Sequence, residues 1–233
     1  MLFNFLVFAH SWGPVFHQTC AEEFAHEFLP NLSYDQFYNF VLGNIYIDSL
    51  PRKKYHNLNN VKSLLLEDAQ KSDNIYWFDL GMLLHLTVDL FGHMGKPNSF
   101  LPLRSRPKHY FAEFVVCSST LHSRNITKYP LTDEARDHLT YLNGRKYRLY
   151  EYLESFIRKF GKLPWQKFLY TIEADKCGAC TPRKYAQSNL QLHKTAIKNA
   201  MWDTLVAYSN GELTEQKHVQ IVMKEFNTIH CCF

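Results

Sequence analysis

Apolar residues recur along this chain at intervals of three and four, and strand-like alternation is scarce, so the pattern predicts helices almost throughout. The stretch 18–28 carries apolar residues at helical spacing and stops before Pro30. Ser33 and Asp35 are placed to cap a second helix reaching about Leu42, with Gly43 as its stop. Residues 44–56 read as a loop holding Pro51 and the basic trio Arg52, Lys53 and Lys54. A short helix over 61–70 follows, then a long one from Asp73 or Asn74 to about Leu90, its end loosened by Gly92 and Gly95. Pro97, Pro102 and Pro107 make 96–107 a loop, and 108–117 is helical again. Further helices are expected near 133–142, 146–160, 165–173, 186–209 and 213–226, with 118–130 and 174–184 as connections. The expected fold class is all-α: a single multi-helix domain over 12–233, its motifs in 12–113 and a helical remainder over 114–233.

Composition narrows the class. The 233 residues are 46% apolar and 15% aromatic, which excludes a disordered, fibrous or low-complexity chain and allows a sizeable core. No apolar run reaches the roughly 18–20 residues that span a bilayer, so no transmembrane helix is expected. The net charge of +4 is uneven: 9 Lys/Arg against 11 Asp/Glu over residues 1–119, then 17 against 11. The basic half could attract phosphate-bearing partners, but without a dense cluster it reads as a solvated, lysine-decorated helical surface. Residues 1–11, apolar and then small or polar, resemble a short signal peptide without a basic start. Two sequons, at Asn31 and Asn125, point the same way. The six cysteines leave disulfide pairing open, and Cys177 with Cys180 makes only half of a zinc knuckle.

The candidate chemistry lies in histidines and carboxylates. His85, Asp89 and His93 fall at i, i+4 and i+8 and form one stripe on the long helix. Their neighbours Leu83, Leu84, Leu86, Val88, Leu90 and Phe91 are apolar, so the stripe is expected in a buried helix. Burying an aspartate and two imidazoles costs several kcal/mol unless they are paired or metal-bound. A His–Asp pair stabilising a helix interior is the plainer alternative. His109 and Glu113 repeat the i, i+4 spacing, which alone would suit a surface ion pair. Upstream, Asp48 ends an apolar segment, where a helix cap would be ordinary; His56 follows it, and His17 lies five residues after Trp12.

Taken together, the order Trp12-Gly13-x3-His17, Asp48, His56, His85-x3-Asp89, His93 and His109-x3-Glu113 resembles the zinc-dependent phospholipase C and single-strand nuclease superfamily. It is also similar to the catalytic domain of glycosylphosphatidylinositol phospholipase D. The likeness covers residues 12–113. It implies an all-α fold with up to three zinc ions in a cleft. One zinc would take Asp48, His56, His85 and Asp89. A second would take His93, His109 and Glu113. A third would take His17, bridging Asp89, and the amine and carbonyl of Trp12, which requires removal of residues 1–11 and hence secretion. The implied activity is phosphodiester hydrolysis of a phospholipid, with peripheral contact at a membrane surface and with Asp48 orienting or deprotonating the attacking water. Glu113 in the last position is lipase-like, whereas Ser49 stands where choline-specific relatives carry an aromatic residue. A nuclease of the same superfamily and a non-catalytic lipid-binding or structural relative are the alternatives, nucleic acid being the less expected partner.

Overall fold

The computed structural model describes residues 14–70, 72–93, 127–143 and 182–230, with side chains for all of these except residues 14, 15, 93, 182–192 and 230. Eight α-helices lie in these spans: α1 (Pro14–Phe28), α2 (Tyr34–Tyr46), α3 (Arg52–Tyr55), α4 (Leu58–Asp68), α5 (Asp73–His93), α6 (Asp133–Tyr141), α7 (Pro182–Ser209) and α8 (Glu215–His230). A single 3-10 turn, Ile47–Ser49, joins α2 to the segment before α3. No strand occurs among the described residues, and the fold is all-α.

The helix starts follow local chemistry. Ser33 and Gln36 form a reciprocal capping box, in which the Ser33 hydroxyl accepts from the Gln36 amide at 3.2 Å and the Gln36 side chain accepts from the Ser33 amide at 2.8 Å. Asn57 caps α4 and Thr132 caps α6 in the simpler manner. Gly211, at φ +72°, turns the chain from α7 into α8, a conformation that side chains disfavour.

α5 is the central element and packs against α1, α2, α4, α6, α7 and α8. Its apolar residues point to several sides, so the helix is buried nearly all round. Phe78, Leu83, Leu84, Val88 and Phe91 join Phe16 and Phe24 of α1 and Phe40 of α2 in one contiguous core. The aromatic surplus of the sequence is therefore mostly core. α1 is tied to α7 by Lys194–Glu23 (2.7 Å) and Lys198–Glu27, while Lys224 pairs with Asp203 at 2.9 Å. These lysines of the basic half face carboxylates of the same chain.

Two sequence expectations need correction. Gly43 does not stop α2, which runs on to Tyr46, and residues 44–56 are not a loop but the end of α2, the 3-10 turn and α3. The glycine serves packing. A Cβ at Gly43 would lie 1.8 Å from the Phe78 carbonyl oxygen, and one at Gly81 would lie 2.1 Å from that of Phe40. α2 and α5 thus cross backbone to backbone, each using a glycine where the other presses in. Gly92 likewise lies inside α5, which reaches His93. The helices expected near 133–142, 186–209 and 213–226 are present, the last two extending to Pro182 and His230. The loop at 96–107 and the helices at 108–117, 146–160 and 165–173 lie outside the described residues.

Gly81→Ala is expected to destabilise the protein by about 2 kcal/mol or more, because the obstructing atoms are backbone and cannot move aside. Urea denaturation measures this; an unchanged midpoint would show that the crossing tolerates a wider gap.

Candidate metal centre

Four elements deliver five donors to one place. α5 contributes His85 and Asp89, one turn apart on one face. α1 brings His17, fully buried. The 3-10 turn after α2 presents Asp48, and His56 follows the last turn of α3. His56 Nε2 lies 3.1 Å from Asp48 Oδ1 and 3.7 Å from Asp89 Oδ2. His85 Nε2 lies 3.6 Å from Asp48 Oδ1 and 3.4 Å from Asp89 Oδ2. His17 Nε2 stands 3.3 Å from Asp89 Oδ1. The His17 and His85 rings stack with centroids 3.9 Å apart, and His56 meets His85 edge-on at 5.3 Å.

His85 is oriented from behind. Its Nδ1 lies 2.7 Å from the Asn44 carbonyl oxygen, which can only accept, so Nδ1 carries a hydrogen and Nε2 faces the two carboxylates. The Asn44 side chain in turn donates to the Gly81 carbonyl at 3.1 Å. Asn44 gave no sign in the sequence, since its role depends on a crossing between segments about forty residues apart.

The electrostatics are strained without a cation. Burial alone would lower the pKa of His85, but Asp89 and Asp48 outweigh it and push the imidazole up to about 9. Burial, with the neighbouring His85 charge, holds His17 below its usual value. Burial works against the ionised forms of Asp48 and Asp89, yet His85 and the other imidazoles hold both carboxyls below the usual range.

The donors suit zinc. Both ring nitrogens of His17, Nε2 of His85 and Oδ1 of Asp89 are buried and make no hydrogen bond. Tetrahedral zinc with bonds of about 2.0–2.1 Å sets its donors about 3.3 Å apart; five His–carboxylate pairs here lie 3.1 to 3.7 Å apart, and the donors of each possible group fall within 4.8 Å of one another. With neutral imidazoles the two carboxylates carry a formal charge that one divalent cation would cancel. Trp12, His109 and Glu113 lie outside the described residues. His93 is the last residue of α5, one turn beyond Asp89, with its side chain outside the description. Cys20 is a buried thiol of the core, away from this role.

A buried cluster of imidazoles and carboxylates inside an all-α core is a donor set that could hold a metal ion. The family model for zinc-dependent phospholipase C matches residues 16–162, more than half of the chain, and spans all five clustered donors. The chain belongs to this family. Comparison with curated proteins and with solved structures gives no significant match. Among the described residues no helix is long and apolar enough to cross a membrane.

Before its Nε2 can bind a metal, His85 must release the proton that the two carboxylates retain. Apparent zinc affinity is therefore expected to rise with pH up to about 9 and level off above. Competition against a chromogenic chelator measures it; an affinity flat from about pH 6 upward would exclude His85 as a ligand.

Proposed function

We propose that this chain is a zinc-dependent phosphodiester hydrolase of phospholipase C type acting on phospholipids. The convergence of His17, Asp48, His56, His85 and Asp89 from four elements carries the reading, and membership of a zinc-dependent family supports it. These five would hold zinc, with Trp12, His93, His109 and Glu113 completing a set of up to three ions as the family likeness implies. When bound, zinc supplies Lewis-acid polarisation of the phosphoryl oxygens and lowers the pKa of water toward neutrality.

The chain's own groups divide the remaining work. Asp89 sits between His17 and His85, one oxygen toward each, and would be the shared ligand that the family likeness implies. His85, locked by the Asn44 carbonyl, keeps its donor nitrogen aimed inward. Asp48 is the most accessible of the carboxylates, its side chain 19% exposed against 9% for Asp89. That partial exposure supports a role for Asp48 toward an incoming water. His56 Nε2 stands 3.1 Å from one Asp48 oxygen, so the two would hold the same ion side by side. A metal-bound carboxylate is a weak base, so positioning of the water is its larger contribution. The resemblance of residues 1–11 to a signal peptide extends the proposal to a secreted enzyme whose Trp12 becomes the first residue.

Asp48→Asn is expected to retain most of the zinc and to lose hydrolysis by about two orders of magnitude or more. Metal analysis and turnover of a chromogenic phosphodiester on the same sample test this, and near-normal turnover would remove Asp48 from the mechanism. Chelator-sensitive release of headgroup from phospholipid vesicles is the expected activity. Cleavage of single-stranded DNA in its place would assign the nuclease branch.

A further inference from the structure

α3 is a single helical turn, Arg52–Tyr55, opened by Pro51. Tyr55 is buried in the core, whereas Arg52, Lys53 and Lys54 are exposed. At about 3.6 residues per turn, committing Tyr55 to the interior spreads the other three side chains over the outward arc. The turn is held firmly. The Tyr55 amide donates to the Pro51 carbonyl at 3.1 Å and the His56 amide to the Arg52 carbonyl at 2.9 Å. The Asn60 side chain donates to the Lys54 carbonyl at 2.7 Å, and the Lys54 ammonium lies 4.9 Å from the centre of the Tyr55 ring.

The charge around this turn has one sign. Residues 49–66 hold Arg52, Lys53, Lys54 and Lys62 and no carboxylate. Lys62 turns away to donate to the Leu213 carbonyl. The lysines of α7 and α8 differ, since Lys194, Lys198 and Lys224 each meet a carboxylate of the same chain.

The turn also lies between two donors of the metal centre. Asp48 precedes it and His56 follows it directly. These are the least buried donors, with side chains 19% and 11% exposed, against 9% for Asp89 and 0% for His17 and His85. The three cations diverge, so they suit an extended array of phosphates better than one small anion. The aromatic ring of the turn is buried and offers no face for stacking a base, which argues against single-stranded nucleic acid. Clustered cations at an exposed site are drawn to anionic lipid headgroups.

We propose that the exposed turn of α3 is the protein's contact with an anionic phospholipid surface, with Arg52, Lys53 and Lys54 holding the metal centre beside the headgroups. The inference rests on the reading of the centre as a phospholipid hydrolase, and assigns the surface by which that centre meets its substrate.

Cosedimentation of the full chain with vesicles is the test. The unaltered protein is expected to prefer vesicles of equal parts phosphatidylserine and phosphatidylcholine over phosphatidylcholine alone, and to be released by high salt. Lys53→Gln with Lys54→Gln is expected to weaken binding to the anionic vesicles about 25-fold, roughly fivefold per cation. Zinc content and turnover of a water-soluble chromogenic phosphodiester are expected to stay unchanged. Undiminished vesicle binding by the double variant overturns the contact. So does binding by the unaltered protein that persists in high salt, a measurement that needs no variant to fold. A loss confined to a single-stranded DNA oligonucleotide overturns it in favour of nucleic acid. Lysine-dependent vesicle binding by a protein that hydrolyses neither phospholipid nor the soluble ester upholds the contact and removes the hydrolase reading.

Discussion

The contact between the α2 and α5 backbones governs the rest of the molecule. Gly43 and Gly81 let the two helices approach until carbonyl oxygens occupy the space that side chains would fill. Asn44 uses that proximity twice, donating from its amide to Gly81 and accepting from His85 on its carbonyl. Asp48 emerges four residues later, one helical turn on, at the height of His85 and Asp89. The positions of the donors thus follow from how close two backbones can lie, and only then from the donors' own chemistry. That order explains why glycine is required at positions remote from any reacting atom.

α5 also shows three ways of accommodating polar groups in a core. Thr87 contacts Thr204 at 3.3 Å and His218 at 2.9 Å, and burial holds the His218 imidazole down to about 4, so this group is neutral and self-sufficient. The cluster around His85 and Asp89 holds an excess of acceptors and orphaned donor atoms. Asp79 meets Asp68 of α4 and His138 of α6, and burial pushes its carboxyl up to about 6. The three differ in the groups that α5 brings together, since all are comparably buried.

Much of this was legible in the chain. Helical period gave the element types, and Ser33 was readable as a cap because it acts only on the next turn, whereas the caps Asn57 and Thr132 were not picked out. The His85-x3-Asp89 stripe was readable because helix geometry alone puts i and i+4 on one face. His17, Asp48 and His56 could be joined to it only through the family's order of residues, since nothing local ties them to α5. Gly43 was misread as a stop, because a glycine that admits a neighbouring backbone and one that ends a helix look the same in sequence. Asp79 and His138 gave no signal, being fifty-nine residues apart on separate helices. Asn44 works through its main-chain carbonyl, which every residue possesses.

The ties between α1 and α7 have a consequence for biosynthesis. Glu23 and Glu27 are one turn apart, as are their partners Lys194 and Lys198, so the two helices engage like matched teeth across 171 residues of chain. The helix that carries His17 is made well before the α7 surface that ties it down. Lys194 and Lys198 therefore add a late restraint to a helix that already packs on α2 and α5, and a chain ending before them would hold His17 on a less constrained α1.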